Sequence, residues 1–505
     1  MQALMGIDIG TSGCKALLLD AQGVMIAAAT ATYPLLQPRP GWTEQDPECW
    51  IEGARQAVAG ALAKAPQVEL LCIGLSGQMH GLVPLDAAHR VLRPAILWND
   101  QRNSAECDQI TELAGGVKNL LAATNNQMLV GYTGGKILWM QNHEPELYAR
   151  MTTILNPKDY LRYRLTGELV TEVSDASGTG LFDVRKRQWA SGLIDRVGID
   201  ADLLPPVFES QVISGRVSAI GAELFGLPEG TPVVGGGGDA VVQTLGSGVI
   251  APGELQTTIG TAGVLAAALD APQENPDGRL QVFCNVAANK WHCMGVSLNA
   301  GGAMRWFRDT FCVGVDGSVP SFEQLAAEAE NSPPGCRGVM FLPYLNGQRC
   351  PNPDPTARGA FVGLAASHNR QDVARAVMEG VIHALADMHS LMKTMGIGGK
   401  VIKASGGGAR SRLWRQMQAD IFGCEVITTE GAAEGAAFGA ALIAGVAVGI
   451  WPDAESAARS CRSITQEHPD RATAEIFARS QHIYRILYPA LREAFSELSA
   501  PIFVK

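Results

Sequence analysis

The sequence has no excess of positive charge, no C-x-x-C pair, no Walker A pattern and no apolar run comfortably long enough to cross a bilayer. Its 40 Lys and Arg stand against 50 Asp and Glu, a formal net charge of −10 over 505 residues. That balance argues against a nucleic-acid or anionic-membrane partner recognised by bulk charge. It leaves room for a local basic or amide-lined phosphate site. The eleven cysteines, among them Cys14, Cys72, Cys107 and Cys461, are odd in number and scattered. They support neither a disulfide framework nor a zinc site, and reduced core thiols in a cytoplasmic protein are expected. The N-terminal MQALMGIDIG lacks a basic n-region and a small-residue cleavage site, so no secretory signal is expected. The longest Ala/Gly-rich apolar run, Gly435 to Trp451, has 17 residues, which reads as a buried helix rather than a membrane span. Without G-x-x-x-x-G-K-[ST] there is no P-loop nucleotide site.

What the chain does have is apolar mass and glycine. At 47% hydrophobic residues it can bury sizeable cores, and its length points to two large domains or more. Its 57 glycines are about 11% of the chain against a usual ~7%, with no collagen-like period. An internal repeat organises this surplus. Residues 9–21 read IGTSGCKALLLDA and residues 259–271 read IGTAGVLAAALDA, eight of thirteen positions identical at an offset of 250. Apolar strands flank each copy, so each is a hairpin whose tip is Gly-Thr-Ser/Ala-Gly. Small residues there let backbone N–H groups approach an anion, and the threonine hydroxyl can donate another hydrogen bond. Two such tips half a chain apart point to one anion-gripping domain present twice. The boundary is expected near Gly246–Gly253, giving domains 1–247 and 248–505. The rest of the chain alternates strands and helices, an α/β pattern, with Asp46-Pro47 as an N-cap and first-turn proline for a helix through Lys64.

Several motifs carry chemistry. Asp8 precedes the first tip; a carboxylate there can hold Mg²⁺, directly or through water, or can simply cap the turn. Lys15 adds a positive charge near the phosphate segment or is a solvated lysine. Gly235-Gly236-Gly237-Gly238-Asp239 follows the strand Pro232–Val234. It fits the dinucleotide fingerprint loosely, with Glu254 closer than the usual ~20 residues. In the other reading the glycines clear side chains away so that substrate and triphosphate meet beside Asp239, a general base. Gln78-Met79-His80-Gly81 ends an apolar strand, where Gln and His can bond the hydroxyls of a small polar ligand; His80 can equally be a structural histidine. Trp98 offers a face for a sugar and Asp100 an acceptor for hydroxyls. The alternative is a cross-strand aromatic with a surface ion pair to Arg102. Ser405-Gly406-Gly407-Gly408-Ala409-Arg410 follows a strand and opens a helix, a place for nucleotide against bare backbone. Glu434-Gly435-Ala436-Ala437 reads as a helix start packed on it.

Taken in order, GIDIGTSGCK, GWTEQDPECW, GLSGQMHG, ILWNDQR, GYTGGKILWMQNHEP, NPKDYLRYRLTGE, SDASGTGLFD, GGGGD, IGTAG, FLPYLNGQRCP, Gly359 to Glu379 and SGGGARSRLWRQ resemble the FGGY carbohydrate kinases over nearly the whole chain. The resemblance implies two ribonuclease-H-like α/β domains of the actin/hexokinase/Hsp70 superfamily, with the active site in the cleft between them. It implies Asp239 as catalytic base and Asp8 as the acid associated with Mg²⁺. Gly10, Thr11 and Ser12 match the first phosphate segment, Gly260 and Thr261 the second. Gly301, Gly407 and Gly408 fall where the family contacts ATP, and Met79, His80 and Trp98 where it contacts sugar. The Gln78–Gly81 segment is similar to the ketopentose-binding segment of members acting on D-xylulose. Ala240 departs from the Asn that commonly follows the base in those members, which keeps ribulose, L-xylulose or a polyol open as substrates. Expected partners are a sugar and ATP, with no nucleic acid and no membrane, and a homodimer is compatible with the chain. An actin- or Hsp70-like ATPase and a nicotinamide-dependent oxidoreductase are the readings from other classes.

Overall fold

Both copies of the repeat are hairpins in the computed structural model, which describes residues 1–275 and 277–499. β1 (Gln2–Ile9) and β2 (Gly13–Leu19) are antiparallel and continue into β3 (Met25–Thr32). After α1 (Pro47–Lys64), β4 (Glu69–Gly77) returns parallel to β1. Farther on come α2 (Thr133–His143), α3 (Pro157–Thr166), the short α4 (Val173–Ser177), β5 (Ile213–Arg216), β6 (Pro232–Val234), β7 (Gly237–Gly238) and α5 (Asp239–Gly246). The sheet runs β5-β6-β4-β1-β2-β3, with β7 beside β4. β1 reads as an almost continuous apolar run because it is covered on both faces. One cover is α1, started as expected by Asp46, whose carboxylate accepts the Glu48 N–H at 3.0 Å ahead of Pro47. The other is the helix Ala436–Ala447.

That second helix comes down on glycine. Gly6 on β1 and Gly74 on β4 are register partners. A Cβ at Gly6 would stand 1.8 Å from the Ala437 carbonyl oxygen, and one at Gly74 would stand 1.9 Å from that of Ala440. The Gly435–Trp451 run is thus a buried helix, as its small residues imply. It packs on β1, β4 and α5. Among the described residues no helix is long and apolar enough to cross a membrane.

The second unit repeats the pattern. β8 (Gly253–Ile259) and β9 (Gly263–Leu269) form its hairpin; α6 (Gly301–Phe311), α7 (Phe322–Glu330) and α8 (Arg370–Thr394) precede β10 (Gly399–Ser405). α9 (Arg412–Phe422), β11 (Glu425–Thr429), β12 (Ser463–Glu467) and α10 (Ala474–Leu498) follow. Five of its strands lie in the order β9-β8-β10-β11-β12 with antiparallel, parallel, parallel and antiparallel pairings. The first unit gives the same sequence of directions along β2-β1-β4-β6-β5. The copies differ at the tip: Ile9 pairs with Cys14, whereas Ile259 pairs with Gly263, one residue tighter.

No single cut separates the units. The first comprises Met1–Ala251, Ala268–Cys293 and Glu434–Arg462; the second comprises Pro252–Ala267, Met294–Ala433 and Ser463–Lys505. The expected boundary after residue 247 lies close to the first junction, and two later segments return to the first unit.

Candidate active site

In the first unit two carboxylates converge from different elements. Asp8, next to last on β1, stands in register with Lys15 on β2 and Ser76 on β4. Burial raises its carboxyl above the usual range, with Ser76 and Lys15 drawing it back. Asp239 heads α5, half-buried, and its Oδ1 accepts the Ala240 N–H at 2.8 Å. Burial first, then the charge of Asp8, pushes Asp239 up to about 7, against the pull of the Ala240 and Met79 amides. That is a value suited to a group that must accept a proton near neutrality. Asp8 Oδ1 and Ser76 Oγ are buried with no hydrogen-bond partner among the described residues. Two hard oxygen donors left unsatisfied side by side fit Mg²⁺, which needs only one or two carboxylates when substrate phosphates complete its shell. The described residues contain no cluster of three or more His, Cys, Asp or Glu that could hold a metal by itself.

The glycine run before Asp239 has a reason other than ligand approach. A Cβ on Gly236, at φ +67°, would stand 1.9 Å from the Leu75 carbonyl oxygen; one on Gly235 would stand 2.8 Å from that of Glu209. Gly237 and Gly238 are pressed against Val286 and Met79, at 2.4 and 2.5 Å from an added Cβ. The glycines let β7 and its turn fold onto β4 and deliver Asp239 beside Asp8. Nothing there leaves a bare backbone cradle for the pyrophosphate of a dinucleotide.

The expected sugar-side residues gather around the end of β4. Gln78 Nε2 donates to Gln45 Oε1 at 2.9 Å, and Gln78 Oε1 accepts from Thr11 Oγ1 at 3.1 Å. Trp98, 40% exposed, donates its indole N–H to the same Thr11 hydroxyl at 3.0 Å and keeps an open ring face. Met79 is buried against Gly238. His80 sits at φ +69°, its carbonyl accepting from Lys136 Nζ at 2.6 Å and Thr133 Oγ1 at 3.1 Å. Its Nδ1 donates to the Gly178 carbonyl at 2.6 Å, making Nε2 the ring's acceptor nitrogen, and the ring stacks on Tyr132.

Three expectations need correcting. Asp100 is fully buried and both its oxygens are taken, Oδ1 by Arg102 Nε at 2.8 Å and Oδ2 by Arg102 Nη2 at 2.7 Å and the Thr43 N–H. It has no reach to a sugar hydroxyl; the ion pair to Arg102 forms as in the alternative, but buried rather than at the surface. Lys15 is committed to Glu434, 2.6 Å from Oε2 and 3.0 Å from the carbonyl oxygen, so its charge staples β2 to the entry of the helix Ala436–Ala447 rather than meeting phosphate. The Thr11 hydroxyl spends its proton on Gln78, so the first tip offers an anion its Thr11 and Ser12 amides, which have no protein acceptor among the described residues. Gly10 N–H is used by the Gly13 carbonyl.

In the second unit the expected nucleotide residues do come together. Gly260, Thr261, Gly301, Gly407 and Gly408 line one cavity of about 600 Å³. Gly301 N–H donates to the Gly260 carbonyl at 2.8 Å, which seats the N-terminus of α6 on the second tip, an arrangement favourable to phosphate. A Cβ on Gly408 would strike Ile259 at 2.5 Å. Sequence reading missed the rest of the lining, including Met304, Arg305, Phe322 and Trp414. Nothing in the sequence showed that the inner faces of α6 and α7 meet at a cavity. Also missed were Gln45, Lys136 and Thr133, whose polar atoms brace Gln78 and His80 from distant parts of the chain.

Residues 3–246 match the N-terminal domain, and residues 255–448 the C-terminal domain, of the "FGGY family of carbohydrate kinases". The xylulose kinase of Bacillus subtilis (strain 168) is 38% identical over 432 residues, 85% of each chain. That of Escherichia coli (strain K12) is 39% identical over 419 residues, 83% of this chain and 84% of the relative. Among solved structures, a "xyloylose kinase" from Brucella ovis superposes with a TM-score of 0.91 at 35% identity, covering 97% of this chain and all of its own. Matches of this extent do not fit the actin- or Hsp70-like ATPase or the oxidoreductase reading. The chain belongs to the FGGY family of carbohydrate kinases.

Proposed function

We propose that this kinase transfers the γ-phosphoryl group of ATP to a terminal hydroxyl of D-xylulose, giving xylulose 5-phosphate, with Asp239 as general base. The observation that carries the mechanism is the half-buried Asp8/Asp239 pair, with Asp239 held near 7 at the head of α5. Its carboxylate orients the acceptor hydroxyl and takes the proton as that oxygen attacks phosphorus in line. Met79, His80 and the open face of Trp98 hold the sugar, with Trp98 packing on its C–H side. The Thr11 and Ser12 amides of the first tip are offered to phosphate oxygens, and in the second unit the Thr261 amide of the second tip is offered likewise. Asp8, with Ser76 near, would hold Mg²⁺, and the ion would supply charge neutralisation for the phosphates. The xylulose kinases among the relatives support the choice of sugar. The Ala240 side chain is a methyl and offers the sugar no hydrogen bond beside the base, which keeps a related ketopentose or polyol as the second reading.

A coupled assay with D-xylulose, L-xylulose, D-ribulose, L-ribulose and glycerol tests the substrate. D-Xylulose should give the highest kcat/KM, and preference for another member of the panel would replace it. Asp239→Asn should lower kcat by at least ~10²-fold with the sugar KM largely kept; activity within a few-fold of the parent would remove Asp239 as the base.

A further inference from the structure

The turn that delivers Asp239 is gripped from behind by charged side chains that phosphoryl transfer does not use. Lys158, Asp159, Arg162, Glu172 and Asp175 are each 0% exposed. Lys158 Nζ pairs with Asp159 and lies 3.3 Å from Asp175 Oδ2 and 3.7 Å from Glu172 Oε1. Arg162 Nη1 is 2.9 Å from Asp159 Oδ1, and Thr171 Oγ1 donates to Asp159 Oδ2 at 2.7 Å. From this cluster, bonds reach both ends of the glycine run. At its start, Arg162 Nη2 donates to the Gly235 carbonyl, joined by Lys158 Nζ at 3.4 Å. At its end, Ser174 Oγ accepts the Gly238 N–H at 3.0 Å while donating its own proton to Glu172 Oε1 at 2.8 Å.

Burying ions costs free energy that their pairing offsets only when every partner is well placed, and apolar replacements are often as stable or more so. Stability is therefore a weak reason for five charged groups here. A better one lies in what they hold. Four successive glycines have no side chains with which to fix their own path, and glycine loses more freedom on ordering than any other residue. Asp239 is bonded directly to the last of them, so any slack in the turn becomes displacement of its carboxylate. We infer that the buried Lys158–Arg162–Glu172–Ser174 cluster is the positioning apparatus of Asp239, clamping the Gly235 carbonyl and the Gly238 N–H so that the carboxylate meets the acceptor hydroxyl in register. The inference rests on the reading of Asp239 as the base. Ser174, Arg162 and Lys158 act through the backbone of the turn and touch no reacting atom, so they are positioning residues.

Ser174→Ala tests it, because it deletes one hydroxyl and frees the Gly238 N–H without leaving a charge unpaired. The expected result is a kcat about ten- to a hundredfold lower, in keeping with a small misplacement of a reacting group, with the sugar KM within about twofold. Ser210→Ala is the matched control. It removes a different hydroxyl from the same Glu172 carboxylate (Ser210 Oγ donates to Oε2 at 2.7 Å) and leaves the Gly238 bond intact, so kcat should stay within about twofold. In an Asp239→Asn background, Ser174→Ala should cause no further loss, since there is no base left to misplace. Glu172→Gln, which keeps the shape of the network and weakens the acceptor for Ser174, should lower kcat in the same direction and provides the reading if Ser174→Ala fails to accumulate. An unchanged kcat with only a lowered Tm in Ser174→Ala would overturn the inference, as would equal losses with and without Asp239. If Asp239→Asn is inactive and Ser174→Ala unimpaired, this inference alone falls. If Asp239→Asn is active, the base assignment falls and takes the inference with it.

Discussion

At the scale of single residues, Asp239 combines two demands that oppose one another. Placed beside Asp8 and out of water, its carboxyl rises from 3.8 to about 7. Only the ionised form accepts a proton, so kcat/KM should climb about tenfold per pH unit below about 7 and level off above it. A profile measured from about pH 5.5 to 8.5 that stayed flat would contradict the assignment. The same shift has a stability sign. A carboxyl with a raised folded pKa stabilises the folded chain below its unfolded value of 3.8, and that contribution is lost as the pH rises through about 7. At about pH 8 the charged pair is a burden that Asp239→Asn relieves, so that variant should melt higher by roughly 2 °C. The difference should narrow as the pH falls and approach zero only at about pH 4, close to the unfolded value of 3.8, as differential scanning fluorimetry across that range can check. The positions of Asp8, Asp239, Met79 and His80 at strand ends and turns were legible in the sequence because local motifs place them there. The bonds of Asp100 and Lys15 were not. Whether a charge is free depends on its partner, and Glu434 lies 419 residues from Lys15.

At the scale of elements, glycine carries most of the meaning and most of the ambiguity. A glycine that admits a ligand and a glycine that admits another backbone look alike in a sequence. Gly260, Gly301, Gly407 and Gly408 do line a cavity, as expected. Gly235 to Gly238 accommodate the protein's own main chain and side chains, and Gly6 and Gly74 let the helix Ala436–Ala447 rest on β1 and β4. The helix itself could be read from its small apolar residues, but its landing place could not, since that depends on glycines some 360 to 430 positions earlier. Gly74→Ala should therefore be destructive. With 1.9 Å between the new Cβ and the Ala440 oxygen the helix must lift, at a cost of about 3 kcal/mol or more, visible as a lower urea midpoint. Gly192→Ala is its counterpart. That residue lies in the helix Ser191–Val197 with nothing within 4 Å of the new methyl, and the exchange should stabilise by about 0.4–1 kcal/mol.

At the scale of the whole molecule, the repeat announced two related units, and the sheets bear this out down to the same order of parallel and antiparallel neighbours. What it could not announce is that the first unit is assembled from three stretches of chain. A fragment ending at Ala251 lacks Glu434–Arg462 and leaves the β1 and β4 faces of its core open. We expect that fragment to bind ANS and melt without a cooperative transition, and a folded, sharply melting 1–251 would show that the returning helix is dispensable.

The same discontinuity has a consequence for biosynthesis. A ribosome adding about 5–20 residues per second needs about 10–40 s to travel from Ala251 to Glu434. For that interval the nascent first unit exists with β1 and β4 already made and their covering helix not yet translated. It cannot complete its core in the order in which it is synthesised, and it must either be shielded by a holdase or wait, half-built, for the far end of its own message.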